Sequence, residues 1–182
     1  MIPASRAPPI SCGSTWTGAD VVQRVSRRTI VIGIGNADRC DDGAGRSVAQ
    51  SLRGRLPAHV EIAELDGEAT SLLALLEGAD AAVLIDACLS DSAPGTVQRF
   101  DVRHAPLPNA RFNLSTHGLG LADAVELARS LGQLPASCVV YAIEAGSVGE
   151  GRTLSAPVAA AVDIVSARVQ ADISLVESAG HA

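Results

Sequence analysis

Short apolar runs and longer periodic stretches alternate along this chain. Residues 29–34, "TIVIGI", are β-branched and almost continuously apolar, as a strand covered on both faces should be. Residues 43–55 have helical spacing, with Val48 and Leu52 on one face, and residues 59–65 alternate as a second strand. "SLLALLEG" lies in a helix over 69–77 closed by Gly78, and "AAVLID" at 81–86 is a third, central strand. After a turn at "SAPGT", residues 97–102 alternate with polar positions and read as a strand nearer an edge.

A loop with prolines and asparagines over 103–114 leads into "STHGLGLADAVELARSLG". This predicts a helix capped by Ser115 or Thr116, with Leu121, Val125, Leu127 and Leu131 supplying apolar faces. "CVVYAI" at 138–143 is a fifth strand, and 156–170 a last helix with Pro157 in its first turn. The sum is a single α/β domain: a largely parallel, twisted five-stranded sheet with helices on both faces. We place that domain at 29–176. Residues 1–28 form a loose N-terminal extension without the apolar stretch of a signal peptide, and 177–182 a flexible tail.

Composition narrows the function. Hydrophobic residues make up 47% of the 182, but aromatics only 2%, so Ala, Val, Leu and Ile must build the core. A formal charge of −6 argues against nucleic acid or an anionic membrane surface as partner. No apolar run is long enough to span a bilayer. Every basic residue is arginine, and the absence of lysine removes the Walker lysine, Schiff-base chemistry and a Ser–Lys dyad. Cys12, Cys40, Cys88 and Cys138 form no CxxC pair and read as reduced thiols of a cytoplasmic protein.

In a doubly wound sheet, ligands sit beyond the carboxyl ends of the strands, so polar residues that follow strand ends are the candidates. Asn36, Asp38, Arg39, Asp41 and Asp42 follow the first strand, Asp86 ends the third, and His117 precedes the helix after the fourth. "GIGNAD" has two glycines of a dinucleotide fingerprint but Asp38 where the third belongs. A pyrophosphate there would face three aspartates opposed only by Arg39, at several kcal/mol per unpaired like-charge contact. The turn is a cation cradle and no nucleotide is expected. Carboxylate oxygens and a neutral imidazole suit zinc, nickel or manganese, and a helix amino terminus near His117 disfavours its imidazolium form.

Blander roles compete with these. One early aspartate can cap the helix near Gly43, Arg39 can be the counter-ion of the acidic turn, Asp86 can cap a turn, and His117 can bond a carbonyl. Glu144 also ends a strand, with a weaker claim, and Cys40 reads as a packed thiol rather than a ligand. HExxH, GxSxG and papain- or caspase-like cysteine contexts are all missing, so hydrolysis here would rest on metal and carboxylates.

"GIGNADRCDDGAG", "LIDACLSDSAPGTV" and "STHGLGLADAVELA", in this order, resemble the nickel–iron hydrogenase maturation proteases over about residues 29–171. The resemblance implies an endopeptidase that removes the C-terminal extension of a nickel-loaded hydrogenase large-subunit precursor. It implies a metal-related site of two acids and a histidine, which fall on Asp42, Asp86 and His117; the strand-end reading adds Asn36, Asp38, Arg39 and Asp41 as supporting residues. The divalent metal would be nickel that the substrate supplies. Some relatives have glutamate at the place of Asp42, and "DGEAT" (residues 66–70) replaces a glycine–threonine pair of many, so Glu68 takes no catalytic role. Aspartic-type and metal-dependent mechanisms both remain open. Two rivals share these features: a non-enzymatic nickel-sensing maturation chaperone, and a peptidase resembling the germination proteases.

Overall fold

The computed structural model describes residues 27–108 and 120–179. In order these form β1 (Thr29–Ile34), a 3-10 turn (Cys40–Gly43), α1 (Ala44–Leu52), β2 (Glu61–Leu65), α2 (Ala69–Leu76) and β3 (Ala81–Cys88). β4 (Val97–Asp101), α3 (Leu121–Ser130), β5 (Ser137–Glu144) and α4 (Ala156–Ala179) follow. The sheet order is β2-β1-β3-β5-β4; all pairings are parallel except β4 against β5.

The apolar runs of β1, β3 and β5 are buried on both faces because helices cover both. Ile30, Ile32, Leu84 and Val140 pack with Leu72 and Leu76 of α2 and Val125 and Ala128 of α3. On the other face, Val31, Val83, Ile85 and Tyr141 meet Val48 and Leu52 of α1 and Val165 and Val169 of α4. The partly polar β2 and β4 are the edges, as their patterns require. From β1 the chain crosses by α1 to β2 on one side, then by α2 to β3 on the other. The crevice between the carboxyl ends of β1 and β3 is therefore the topological switch point.

The expected architecture is observed, with shifts at the ends of elements. α1 is shorter than the periodicity suggests, because Gly43 closes the 3-10 turn and Gly54 takes φ +74° beyond the C-cap. β3 runs two residues past Asp86, so that this aspartate lies within the pairing with β5 rather than at the strand's last position. α4 continues to Ala179, into the segment read as tail. α3 starts at Leu121 with Gly120 at its N-cap, while Ser115 and Thr116 lie outside the described residues. No helix among the described residues is long and apolar enough to cross a membrane.

Candidate active site at the switch point

The sequence beyond β1 folds as it does because of two close approaches. Gly35 has φ +127°, and a Cβ there would lie 1.8 Å from the Asp42 carbonyl oxygen, so only glycine lets the 3-10 turn cross the strand end. Gly45 brings α1 against the sheet: its Cβ would stand 2.3 Å from the carbonyl oxygens of both Ile34 and Ile85. Asp42 is thereby delivered to the crevice between β1 and β3, where Asp86 stands.

These two acids are 6% exposed each. Asp42 Oδ2 accepts the Asn36 N–H at 3.3 Å and lies 3.9 Å from the Arg39 guanidinium. Asp86 Oδ1 accepts the N–H of the adjoining Ala87 at 2.8 Å. Burial raises the pKa of Asp42, and the Asn36 amide and Arg39 offset this only in part. For Asp86, burial first and the Asp42 charge second push the pKa up to about 8, against the single opposing Ala87 amide. The site is thus a pair of coupled carboxyls reluctant to ionise together, a condition that an incoming cation relieves.

The other early acids have turned elsewhere. Asp41, fully buried, points away from Asp42 into the segment after β5. Its Oδ2 accepts the N–H groups of Gly146 (2.9 Å) and Ser147 (2.8 Å) and the Ser155 hydroxyl (2.9 Å), and its Oδ1 accepts the Ser155 N–H (2.7 Å). Burial pushes Asp41 up, but these bonds outweigh it and hold the carboxyl below its ordinary range. Asp38 is at the surface, paired with Arg152. Asn36 shapes the turn, its Oδ1 accepting the Asp38 N–H at 2.9 Å. None of the three aspartates makes a side-chain cap on α1, whose N-cap is Gly43, so the capping role is not observed. Arg39 does face Asp42, as a distant counter-ion.

His117, the third member of the inferred trio, lies outside the described residues. Among the described residues no three His, Cys, Asp or Glu side chains are grouped to hold a metal. Asp42 and Asp86 are brought together; the donor set fits a cation only with a third ligand from elsewhere, from His117 or from the substrate. On the α2/α3 face beside this end of β1, a cleft is lined by Ile34, Leu65, Glu68, Leu72, Leu121 and Ala124.

Two structural supports flank the pair: Glu144, which ends β5 as the strand-end rule expects, and Ser155, which the rule does not reach. Glu144, 2% exposed, accepts the Ser90 N–H (2.7 Å), the Ser90 hydroxyl (2.6 Å) and the Cys88 thiol (3.4 Å), tying down the segment that leaves β3. Burial raises this carboxyl, but these donors and the Ser92 amide outweigh it, leaving the pKa lowered. Ser155, with Gly146 and Ser147, supplies the grip on Asp41. The signal for the Asp41 anchor was the run of small residues after β5, "EAGSVGEG", whose Gly146 and Ser147 amides serve as donors, whereas no local pattern announced Ser90 as the partner of Glu144.

Residues 47–171 match the family model described as hydrogenase maturation protease. The chain belongs to the hydrogenase maturation protease family. It is 33% identical over 112 residues to the hydrogenase 2 maturation protease of Escherichia coli (strain K12), spanning 59% of this chain and 67% of that one. Among solved structures it resembles the hydrogenase maturating endopeptidase HybD from E. coli, with TM-score 0.68, 28% identity, and coverage of 83% of this chain and 93% of that one. It also resembles the [NiFe] hydrogenase maturation protease HybD from Thermococcus kodakarensis, with TM-score 0.63, 27% identity, and coverage of 78% and 96%. The protein is a peptidase. The family-model match begins after β1 and the 3-10 turn, so Asp86 and His117 fall within it and Asp42 precedes it.

Proposed function

We propose that this peptidase removes the C-terminal extension of a [NiFe] hydrogenase large-subunit precursor, and that Asp42, Asp86 and His117 receive the nickel which that substrate carries. The observation that carries the reading is the convergence of Asp42 and Asp86 at the switch point, both buried and both with raised pKa. Without a cation the pair retains a proton near neutrality; a divalent ion on the substrate favours two carboxylates and expels that proton. Cleavage is thereby tied to a metal-loaded substrate. Asp42 and Asp86 orient the metal-bearing segment, and a carboxylate of the pair takes the proton of the water that attacks the scissile carbonyl and returns it to the amine as the C–N bond breaks, so the reaction is carboxylate-driven and metal-gated rather than routed through a covalent nucleophile. The family makes a purely non-enzymatic chaperone the weaker reading.

The test is incubation with nickel-loaded and nickel-free precursor, read by mass spectrometry of the large subunit. The loaded precursor should lose its C-terminal extension and the nickel-free one should not. Asp42→Asn, Asp86→Asn and His117→Ala should each leave a folded protein that does not cut. An intact precursor after incubation with folded wild-type protein rejects the function, and full activity in all three variants rejects the site.

A further inference from the structure

We propose that Asp41 is the positioning residue of this site: its side chain, bonded into the segment that enters α4, fixes the 3-10 turn so that Asp42 faces Asp86. The inference rests on the proposed function. Asp41 and Asp42 are neighbours in a turn of four residues, and their side chains leave it in different directions. The turn is held on one side by Gly35, across which the Asp42 backbone lies. On the other side it is held by residues 146–155, more than a hundred positions along the chain.

That second attachment is extensive. Besides the four bonds to the Asp41 carboxylate, the Asp41 N–H donates to the Ser147 carbonyl at 3.0 Å. The Cys40 N–H donates to the Gly151 carbonyl (2.7 Å), and the Gly151 N–H to the Asp38 carbonyl (2.9 Å). By contrast, Asp42 itself has a long bond to Asn36 and a distant guanidinium, which cannot fix its direction. The position of Asp42 is therefore set by its neighbour. Asp41 does not touch the reacting atoms: both its oxygens are occupied by protein donors.

Asp41→Asn tests this because the change is isosteric. One oxygen accepts two N–H groups and the other accepts a third, so either orientation of the amide sets its NH2 against a donor. With nickel-loaded precursor, at a temperature where circular dichroism shows the variant folded, kcat should fall roughly 10–100-fold with KM within about threefold. Without substrate, the amides of Asn36 and Asp42 should exchange hydrogen faster than in wild type, while those of Ile32 and Leu84 are unchanged. A purely structural role predicts a lower melting temperature only. Wild-type kcat in the folded variant, or unchanged exchange at Asn36 and Asp42, overturns the proposal.

If Asp41→Asn does not fold, Ser155→Ala removes only the hydroxyl donor. A loss of roughly 2–5-fold in kcat with faster exchange at the same amides then supports the proposal, and wild-type values overturn it. Wild-type protein that fails to cut the precursor removes the proposed function instead, and the exchange measurement still decides whether Asp41 holds the turn.

Discussion

Replacing Asp86 by asparagine removes a buried acid and keeps its shape, including an oxygen to accept the Ala87 N–H. The unfolded carboxyl ionises near 3.8, whereas the folded one holds its proton to about 8. Between these values folding takes up a proton, so this group makes the wild-type protein less stable as pH rises and stops doing so above about pH 8. The slope is at most about 1.4 kcal/mol per pH unit, which gives a ceiling of ~4 kcal/mol from pH 5 to pH 8. Asp42 shares the proton with Asp86, and local relaxation softens burial, so about 2 kcal/mol is the expected change. Urea unfolding in metal-free buffer at pH 5 and pH 8, for both proteins, measures it. The variant's advantage over wild type should be larger at pH 8 by that amount, while precursor cleavage is lost in the same preparation. An advantage equal at the two pH values, or a variant less stable at pH 8, refutes the account of a buried acid strained by its neighbour.

Glu144→Gln puts an NH2 group against donors of Ser90 and is expected to cost about 2 kcal/mol, with faster limited proteolysis between Leu89 and Thr96; urea midpoints and cleavage mapping read both. Gly45→Ala forces a methyl within 2.3 Å of two strand carbonyls that cannot move independently, and should lower stability by at least about 2 kcal/mol; an unchanged melting temperature contradicts the close packing of α1 on β1 and β3. Asp41, with its pKa lowered, stabilises the fold at neutral pH and loses that contribution as pH falls below the ordinary carboxylate range. Asp41→Asn should therefore flatten acid unfolding as pH falls below the ordinary carboxylate range, followed by circular dichroism.

Sheet, helices and strand ends were legible because burial leaves a periodic mark. "TIVIGI" and "AAVLID" are apolar at every position only because helices cover both faces, and that arrangement alone limits the strand order to a few possibilities. Strand ends then pointed to Asp86 and to the acidic turn after β1 with no knowledge of distances, and it was the family resemblance that chose Asp42 within that turn. The bounds failed where no side chain decides them. Whether β3 stops at Asp86 or Cys88 depends on continued pairing with β5, and whether α1 begins at Gly43 depends on a turn pressed against Gly35.

What local pattern could not separate was Asp41 from Asp42. They are the same residue type in consecutive positions, both acidic, both buried, both at a helix start. A 3-10 turn rotates each residue about 120° from the last, so one of two neighbours faces the cleft and the other faces away. Which one does is decided by Gly146, Ser147 and Ser155, donors with no charge or periodicity to announce them. An acid that meets three backbone amides is retained as a well hydrogen-bonded carboxylate; one that meets a single long bond and another acid is not. The division of labour between the two follows from donor supply: the neighbour rich in amides anchors the turn, and the neighbour poor in them keeps the open oxygens that the proposed function assigns to a cation on the substrate.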